Sequence, residues 1–226
     1  MSYIVAGRLD ELPSDIQHHL GTFRHKVFVQ RLHWEIPGVS ADATSEWDQF
    51  DRGSTVHLVS LSADKVCGCA RLMPTTGPYL LRDVFPELAR QGGPPASAAT
   101  IWEMSRFAGS GLPEHRTGST SGMSLFPYAM ALARSFGATQ LIGVVSRSVA
   151  RLYRSFGLDL HDIGIGTAPG RATIVACSIN LELAMFEKLQ CDPVTLLNSI
   201  TRVGQLPPEP DLPGHSHPAA AGAMEC

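Results

Sequence analysis

Residues 124–157 restrict the fold more than any other part of the chain: "SLFPYAMALARSFG", then "TQLIGVVS", then "RSVARLYRSFG". The first piece reads as a helix, with Ser124 as N-cap, Pro127 tolerated in the first turn and Gly137 as the C-terminal stop. The second is an apolar run of strand length, suited to a strand covered on both faces. The third divides into two stripes. Val149, Leu152, Tyr153 and Phe156 recur at i, i+3, i+4, i+7, and Arg147, Arg151 and Arg154 at i, i+4, i+7. A buried strand between two helices is the repeating unit of an α/β fold.

The remaining segments extend that pattern. "YIVAGR" is strand-like, and from Pro13 the apolar residues Ile16, Leu20, Phe23 and Val27 mark one helical face, with Arg24, Phe28 and Arg31 off it. "TVHLVSL" and "KVCGCARL", joined by "SADK", read as a hairpin. "LRDVFPELAR" reads as a short helix, "TIWEMSRFA" as a strand at its start and "ATIVACSIN" as another strand, before two short helical patterns. The expected domain is residues 1–203, α/β with a mixed central sheet. Residues 204–226 are rich in Pro, Gly and Ala and read as a disordered tail. Residues 32–54 have no sustained period, two tryptophans and a cluster of acids, which suggests a lid or binding loop.

Composition narrows the function classes. A net charge of −3 gives no general case for nucleic acid. The longest apolar runs are far short of a membrane span, and the N-terminus lacks a secretory pattern, so the expected compartment is the cytoplasm. Five scattered cysteines do not suggest a disulfide framework, and "CGC" has nothing nearby to complete a zinc set. The histidines form no H-E-x-x-H.

The chemistry concentrates in "IWEMSRFAGSG", which places Glu103 and Arg106 among apolar neighbours. Taken alone, the pair reads as an internal salt bridge. "RFAGSG" also matches R-x-x-G-x-G, the pyrophosphate loop of GNAT acetyltransferases. That loop needs a helix directly after it to aim free N–H groups at phosphate, and "LPEHRTGSTSG" is a poor helix.

A third reading takes in the first half of the chain. "FRHKVFVQRLHWEIP", "EWDQFD", "GCARLMPTTGPYLLRDVFPEL" and "IWEMSRFA" together resemble the acyl-homoserine lactone synthases, the LuxI-type autoinducer synthases. Arg24, Phe28, Trp34, Glu46, Asp48, Asp51, Arg71, Glu103 and Arg106 fall on that family's signature positions. "CARLMPTTGPYLL" most resembles the branch making unsubstituted medium-chain, octanoyl-type lactones. The resemblance implies a GNAT-like three-layer αβα sandwich. It also implies two substrates, S-adenosylmethionine and an acyl-acyl carrier protein (in some members acyl-CoA), and no metal or redox cofactor. The expected product is a quorum-sensing lactone, formed with release of methylthioadenosine. A monomer is expected.

The residue types suit that chemistry. Phe28 and Trp34 offer faces to a sulfonium, and Asp48 and Asp51 offer charge. Arg24 and Arg106 are candidates for the substrate carboxylate, with Arg71 either catalytic or holding Asp48. Glu103 is the first choice of base, directly or through water, and Asp48 the second. Glu46 suits a structural pairing with an arginine. Backbone N–H groups around Phe107 and Val144 are candidate oxyanion donors, Phe107 also flanking the S-adenosylmethionine site. Met123, Phe126, Met130, Val144, Val145, Ser146, Leu152 and Tyr153 are candidate walls of an acyl pocket. Arg147, Arg151 and Arg154 form a candidate docking stripe for an acidic carrier protein. The alternatives are an ordinary GNAT acetyltransferase and a non-catalytic protein that senses S-adenosylmethionine or a carrier protein.

Overall fold

The segment "TQLIGVVS" lies inside an eight-stranded sheet, covered by helices on both faces. The computed structural model describes residues 2–40, 42–89, 96–109, 123–164 and 173–207. The expected tail beyond residue 207 and most of "GSGLPEHRTGSTSG" lie outside them. In chain order the elements are β1 (Ser2–Gly7), α1 (Ser14–Arg24) continuing into a π-helical stretch His25–Arg31, β2 (Val56–Ser62) and β3 (Lys65–Pro74). Then come α2 (Leu80–Asp83), a 3₁₀ turn Pro86–Leu88, β4 (Ile101–Gly109), α3 (Phe126–Ser135), β5 (Gln140–Ser146) and α4 (Arg147–Ser155). The chain continues through β6 (His161–Asp162), β7 (Ile174–Asn180), α5 (Leu183–Lys188), α6 (Pro193–Asn198) and β8 (Ile200–Arg202). The strand order is β6-β7-β5-β4-β3-β2-β1-β8. β4–β5 and β1–β8 pair parallel and the other neighbours antiparallel, so the sheet is mixed.

Alternation along the central strands divides the core between the two faces. Leu58, Ala70, Leu72 and Trp102 pack with α3, α4 and α5 residues such as Phe126, Met130, Tyr153 and Phe186. Val59, Leu61 and Cys69 point the other way, onto Ile16 and Leu20 of α1 and onto Phe28. Met73 and Ile142 join Leu81 and Phe50 on that same second side. β2 is buried along nearly its whole length, as a strand covered on both faces must be.

Several local expectations change. The helix begun at Ser14 widens at His25 into π geometry, which buries Phe28, whereas Arg24, four residues after Leu20, closes the buried face of α1 itself. A π turn takes up more residues than 3.6, which rotates the later positions inward. "LRDVFPELAR" is not one helix. Pro86 cannot continue α2 and restricts Phe85, so the chain restarts as the 3₁₀ turn. Leu125, not Ser124, is the N-cap of α3, while Pro127 does lie in its first turn. The segment 32–54 is only partly lid-like. Leu32 and Trp34 are exposed, but Glu46, Phe50 and Asp51 are buried and anchor its second half.

Candidate active site

Where α1, the 46–51 segment and β3–β4 meet, three acids and three arginines form a buried cage. Arg24 donates from Nε to Glu46 at 2.6 Å and from both terminal nitrogens to Asp51 at 2.7 and 2.9 Å. Arg71 Nη1 reaches Asp48 at 2.5 Å and Asp51 at 3.0 Å, and its Nε donates to Ser105 Oγ at 2.9 Å. Arg106 Nη2 reaches Glu46 at 2.9 Å and Asp48 at 2.7 Å. The backbone N–H of Asp48 closes the loop onto Asp51. Burial pushes the Asp51 carboxyl up, but Arg24 and Arg71 outweigh it and hold the group far below the usual carboxylate range. Burial also works against Glu46, and Arg24 and Arg106 hold it below its ordinary value. The three acids bring carboxylate oxygens within 4.8 Å of one another, a spacing a divalent ion could use. Each already faces guanidinium groups, so an added cation has to displace an arginine.

Arginine 24 is 1% exposed and every one of its donor nitrogens has an acid partner. It therefore ties the cage together and does not face a substrate carboxylate in this conformation. Asp51 is equally committed. Glu46 pairs with Arg24 and Arg106, and Arg71 holds Asp48. Trp47 lies under Arg24, with the guanidinium carbon 4.8 Å from its ring centre. Gly21 makes room for that indole, since a Cβ there would come within 2.8 Å of it.

Arginine 106 reaches the cage because β4 carries an extra residue. Arg71 pairs with Ser105 and Cys69 with Ala108, so two residues of β4 oppose one of β3. Arg106 takes φ of 49°, left-handed backbone, and its carbonyl accepts from the Cys69 thiol at 3.1 Å. Such a bulge aims consecutive side chains to the same face and costs on the order of 1–3 kcal/mol in a non-glycine residue. Its guanidinium carbon lies 5.4 Å from the Phe28 ring centre and 5.5 Å from that of Trp34, and these two rings stack at 4.9 Å.

Beyond Glu103–Ile142 the pairing of β4 with β5 stops. Gly143 sits at that point, where a Cβ would meet the Met104 carbonyl at 2.9 Å. Between the separating strands lies a cavity of about 260 Å³. At one end are Phe28, Leu32, Trp34 and Arg106, and at the other Phe126, Tyr153, Leu160 and Ile179 under α3 and α4. Of the expected acyl walls, Phe126, Val144, Val145, Ser146 and Tyr153 line it, as does Phe107. Met123 and Met130 do not; they are packed in the core. Leu152 points to solvent at 43% exposure. Ser146 caps α4 by accepting from Val149 N–H at 3.1 Å.

Glu103 lies on β4 and is fully buried, its oxygens accepting from the N–H groups of Leu80 at 2.6 Å and Leu81 at 2.8 Å. Burial raises its pKa to about 7, against the lowering effect of those two N–H bonds. Its neighbour Met104 and its cross-strand partner Ile142 line the cavity, while Glu103 itself does not. Both oxygens of Asp48 are taken by guanidinium groups.

The sequence reading missed Leu32, Met104, Leu160 and Ile179 of the cavity lining, and two polar residues beside them. Ser105 lines the cavity and supports Arg71; strand alternation from Glu103 would have found it. His57 is buried with Nε2 3.7 Å from Asp51, and burial, against the pull of Asp51, takes its imidazole down to about 3, so it is neutral at pH 7. Nothing local in "TVHLVSL" signalled that.

The arginine stripe on α4 is exposed but not uniform. Arg154 bonds Asp162 at 2.8 Å and the Leu160 carbonyl, so it braces the following turn. Among the described residues, Arg151 reaches only Ser148 within its own helix, at 3.3 Å.

Comparison with known proteins agrees with this geometry in two steps. The backbone resembles an acyl-CoA N-acyltransferase from Pseudomonas aeruginosa, TM-score 0.50 at 15% identity, over 79% of this chain and 99% of that one. The fold is thus the GNAT-like three-layer sandwich. The Autoinducer synthase family model matches residues 11–189. An acyl-homoserine-lactone synthase of Ralstonia solanacearum is 42% identical over 175 residues, 76% of this chain and 85% of that one. A crystal structure of TofI in a ternary complex with an inhibitor and MTA superposes with TM-score 0.71 at 36% identity, over 85% of this chain and 98% of that one. The chain belongs to the autoinducer synthase family.

Proposed function

We propose that this chain is an acyl-homoserine lactone synthase joining S-adenosylmethionine to an acyl group delivered on an acyl carrier protein. The observation that carries the reading is the cleft between β4 and β5. Its lining joins Arg106, itself bonded to Glu46 and Asp48, and the stacked Phe28 and Trp34 rings to apolar residues such as Phe126, Val145 and Ile179. A charged amino-acid substrate and an acyl chain need those two surroundings, and the strand gap joins them.

In the first step the α-ammonium loses a proton and the amine attacks the thioester carbonyl. The carbon–sulfur bond breaks and the carrier thiol leaves with a proton. In the second, the substrate carboxylate attacks its own γ-carbon, the bond to the sulfonium breaks, and neutral methylthioadenosine departs. Glu103 receives the ammonium proton. Because it lies behind Met104 and Ile142, the proton reaches it through water. Arg106 orients the carboxylate through Nη1, for which there is no hydrogen-bond partner among the described residues. Backbone N–H groups of the separated strands, near Phe107 and Val144, receive the oxyanion.

The acyl chain is unsubstituted and about eight carbons long. That length rests on the resemblance of "CARLMPTTGPYLL" to the branch making octanoyl-type lactones. Val145 offers a 3-keto oxygen no hydrogen bond, which favours the unsubstituted chain. The protein acts as a cytoplasmic monomer through residues 1–203. No helix among the described residues is long and apolar enough to cross a membrane.

Mass spectrometry of a reaction with S-adenosylmethionine and a mixture of acyl-carrier donors tests the reading. Methylthioadenosine and one dominant lactone should form in equal amounts, with octanoyl preferred over 3-oxo-octanoyl by about tenfold or more. Acylation without methylthioadenosine would indicate an acetyltransferase-like activity. Tight S-adenosylmethionine binding without product would indicate a sensor.

Carrier-protein docking is expected on α4, centred on Arg151. Arg151→Glu should raise KM for the carrier-bound donor about five- to tenfold at low salt and leave KM for S-adenosylmethionine unchanged. A donor KM insensitive to both the charge reversal and salt would remove α4 from the interface.

A further inference from the structure

Two buried hydroxyls stand outside both the cage and the cavity. Thr75 and Tyr79, each 0% exposed, lie between β3 and α2, and neither lines the cavity. Both fasten that turn to the segment leading into β4. The Thr75 N–H extends the β3–β4 ladder by donating to the Ile101 carbonyl at 3.1 Å. Its Oγ1 accepts from the Ala98 N–H at 3.1 Å and lies 3.0 and 2.9 Å from the Ala98 and Ile101 carbonyls, either of which can take its one proton. Four residues on, the Tyr79 hydroxyl donates to the Ala96 carbonyl. The next two N–H groups in the chain, those of Leu80 and Leu81, are the ones that bond Glu103. Tyr79, the N-cap residue of α2, makes no side-chain capping bond, and the Glu103 carboxylate takes that place. Acceptor and donors are thus tied to one strand. Glu103 lies on β4, and the turn presenting its donors is fixed at both ends to residues 96–101, which run into β4.

We propose that Thr75 and Tyr79 are positioning residues for the general base: by clamping the turn they keep the Leu80 and Leu81 N–H groups on the Glu103 carboxylate, and so set the pH at which the enzyme becomes active. This inference rests on the reading of Glu103 as the base. Its sign follows from the partners. Two N–H donors favour the charged carboxylate, against burial, which favours the neutral acid. When a clamp is removed the donors drift, and Glu103 holds its proton more tightly. The other groups around Glu103 do not replace them. Arg71 of β3 also favours the carboxylate, but it is committed to Asp48 and Asp51, and Asp83 of α2 opposes it. β5 presents Ile142 and carries no ionisable side chain. Burial and the nearby Glu103 charge take the Tyr79 hydroxyl up to about 12, so it stays neutral. Arg82, over the Tyr79 ring at 5.2 Å, is paired with Asp83.

The test is the pH profile of kcat/KM, followed by methylthioadenosine release, for wild type, Thr75→Val, Thr75→Ser, Tyr79→Phe and Glu103→Gln. In Thr75→Val and Tyr79→Phe the midpoint of the rising limb should move up by about 0.5–1 pH unit. Activity near pH 6.5 then falls about three- to eightfold, while the plateau above about pH 9 stays within about threefold of wild type. Thr75→Ser, which keeps the hydroxyl, should hold the wild-type midpoint. A merely structural loss lowers the plateau or the amount of folded enzyme and leaves the midpoint in place. An unmoved midpoint in either folded variant overturns the proposal. If neither variant folds, hydrogen exchange on the wild type decides. The Leu80 and Leu81 amides should exchange about 10³-fold or more slowly than in an open chain, and slowing by less than about tenfold overturns the clamp. A limb lost in Glu103→Gln but unmoved in the two clamp variants rejects the clamp alone, whereas a limb that survives in Glu103→Gln rejects the base reading with it.

Discussion

Glu103→Gln should bind S-adenosylmethionine within a fewfold of wild type and lose about 10²–10⁴ in kcat, the usual range for removal of a general base. The wild-type pH profile gives the second half of this expectation. With the carboxyl raised to about 7, kcat/KM should climb with pH through a midpoint near 7, because the free enzyme must shed the Glu103 proton first. That limb should vanish in the variant's residual activity. Stability moves in a linked way. A carboxyl raised on folding favours the native state below its unfolded value near 4.5, and that contribution is lost as pH rises through about 7. Wild type should therefore lose up to about 3 kcal/mol relative to Glu103→Gln between pH 4.5 and 7.5. Gln can accept from only one of the Leu80 and Leu81 N–H groups at full strength, which shifts the variant's absolute stability but not this slope. Urea unfolding across pH and steady-state kinetics check the two parts. A variant with normal turnover and a flat stability difference would remove Glu103 from the chemistry and return the base to Asp48.

The layered architecture was legible because hydrophobic period is a strong signal: a buried run such as "TQLIGVVS" between two amphipathic helices admits few arrangements. The residues of the cage were legible by their resemblance to a family, but their roles were not. Arg24 looked like a carboxylate binder because an arginine fork matches a carboxylate. The helical period from Ile16 and Leu20 does bury it, but its partners come from the return of residues 46–51 over the sheet, a long-range contact that the period does not encode. Arg106 depends on a bulge set by the register of β3 against β4, a long-range property with no local mark in "EMSRFA". Met123 and Met130 were placed in the acyl wall because periodicity tells which helix face is buried, not whether that face meets the core or a cavity. Leu152 completed an apolar stripe on α4, but α4 ends the sheet-covering layer beside the short β6, and that side of it stays in solvent.

Arg24→Met should destabilise the protein by about 3–5 kcal/mol, the cost of removing one member of a buried ion network and leaving the others uncompensated. Against a total stability of roughly 5–15 kcal/mol that is a large fraction. Arg24 has three acid contacts of 2.6–2.9 Å inside a cage with almost no solvent access. Without it, Glu46 keeps only Arg106 and Asp51 keeps Arg71 and the Asp48 N–H. Asp51→Asn should cost a comparable amount by leaving Arg24 half-paired. The double variant should cost less than the sum of the two by about 2 kcal/mol, since each single change strands the other's partner. Urea unfolding of the four proteins measures that coupling, and S-adenosylmethionine binding by the folded fraction separates two roles for Arg24. As a tie within the cage, it lowers stability when removed, and binding weakens because Glu46 loses its fixed position and Arg106 loses its anchor. As a direct carboxylate ligand, its removal would weaken binding while leaving stability within about 1 kcal/mol of wild type. The geometry predicts the first pattern: an arginine 1% exposed, with all three nitrogens already on acids, cannot hold a substrate without first breaking the structure that places Arg106 and Asp48.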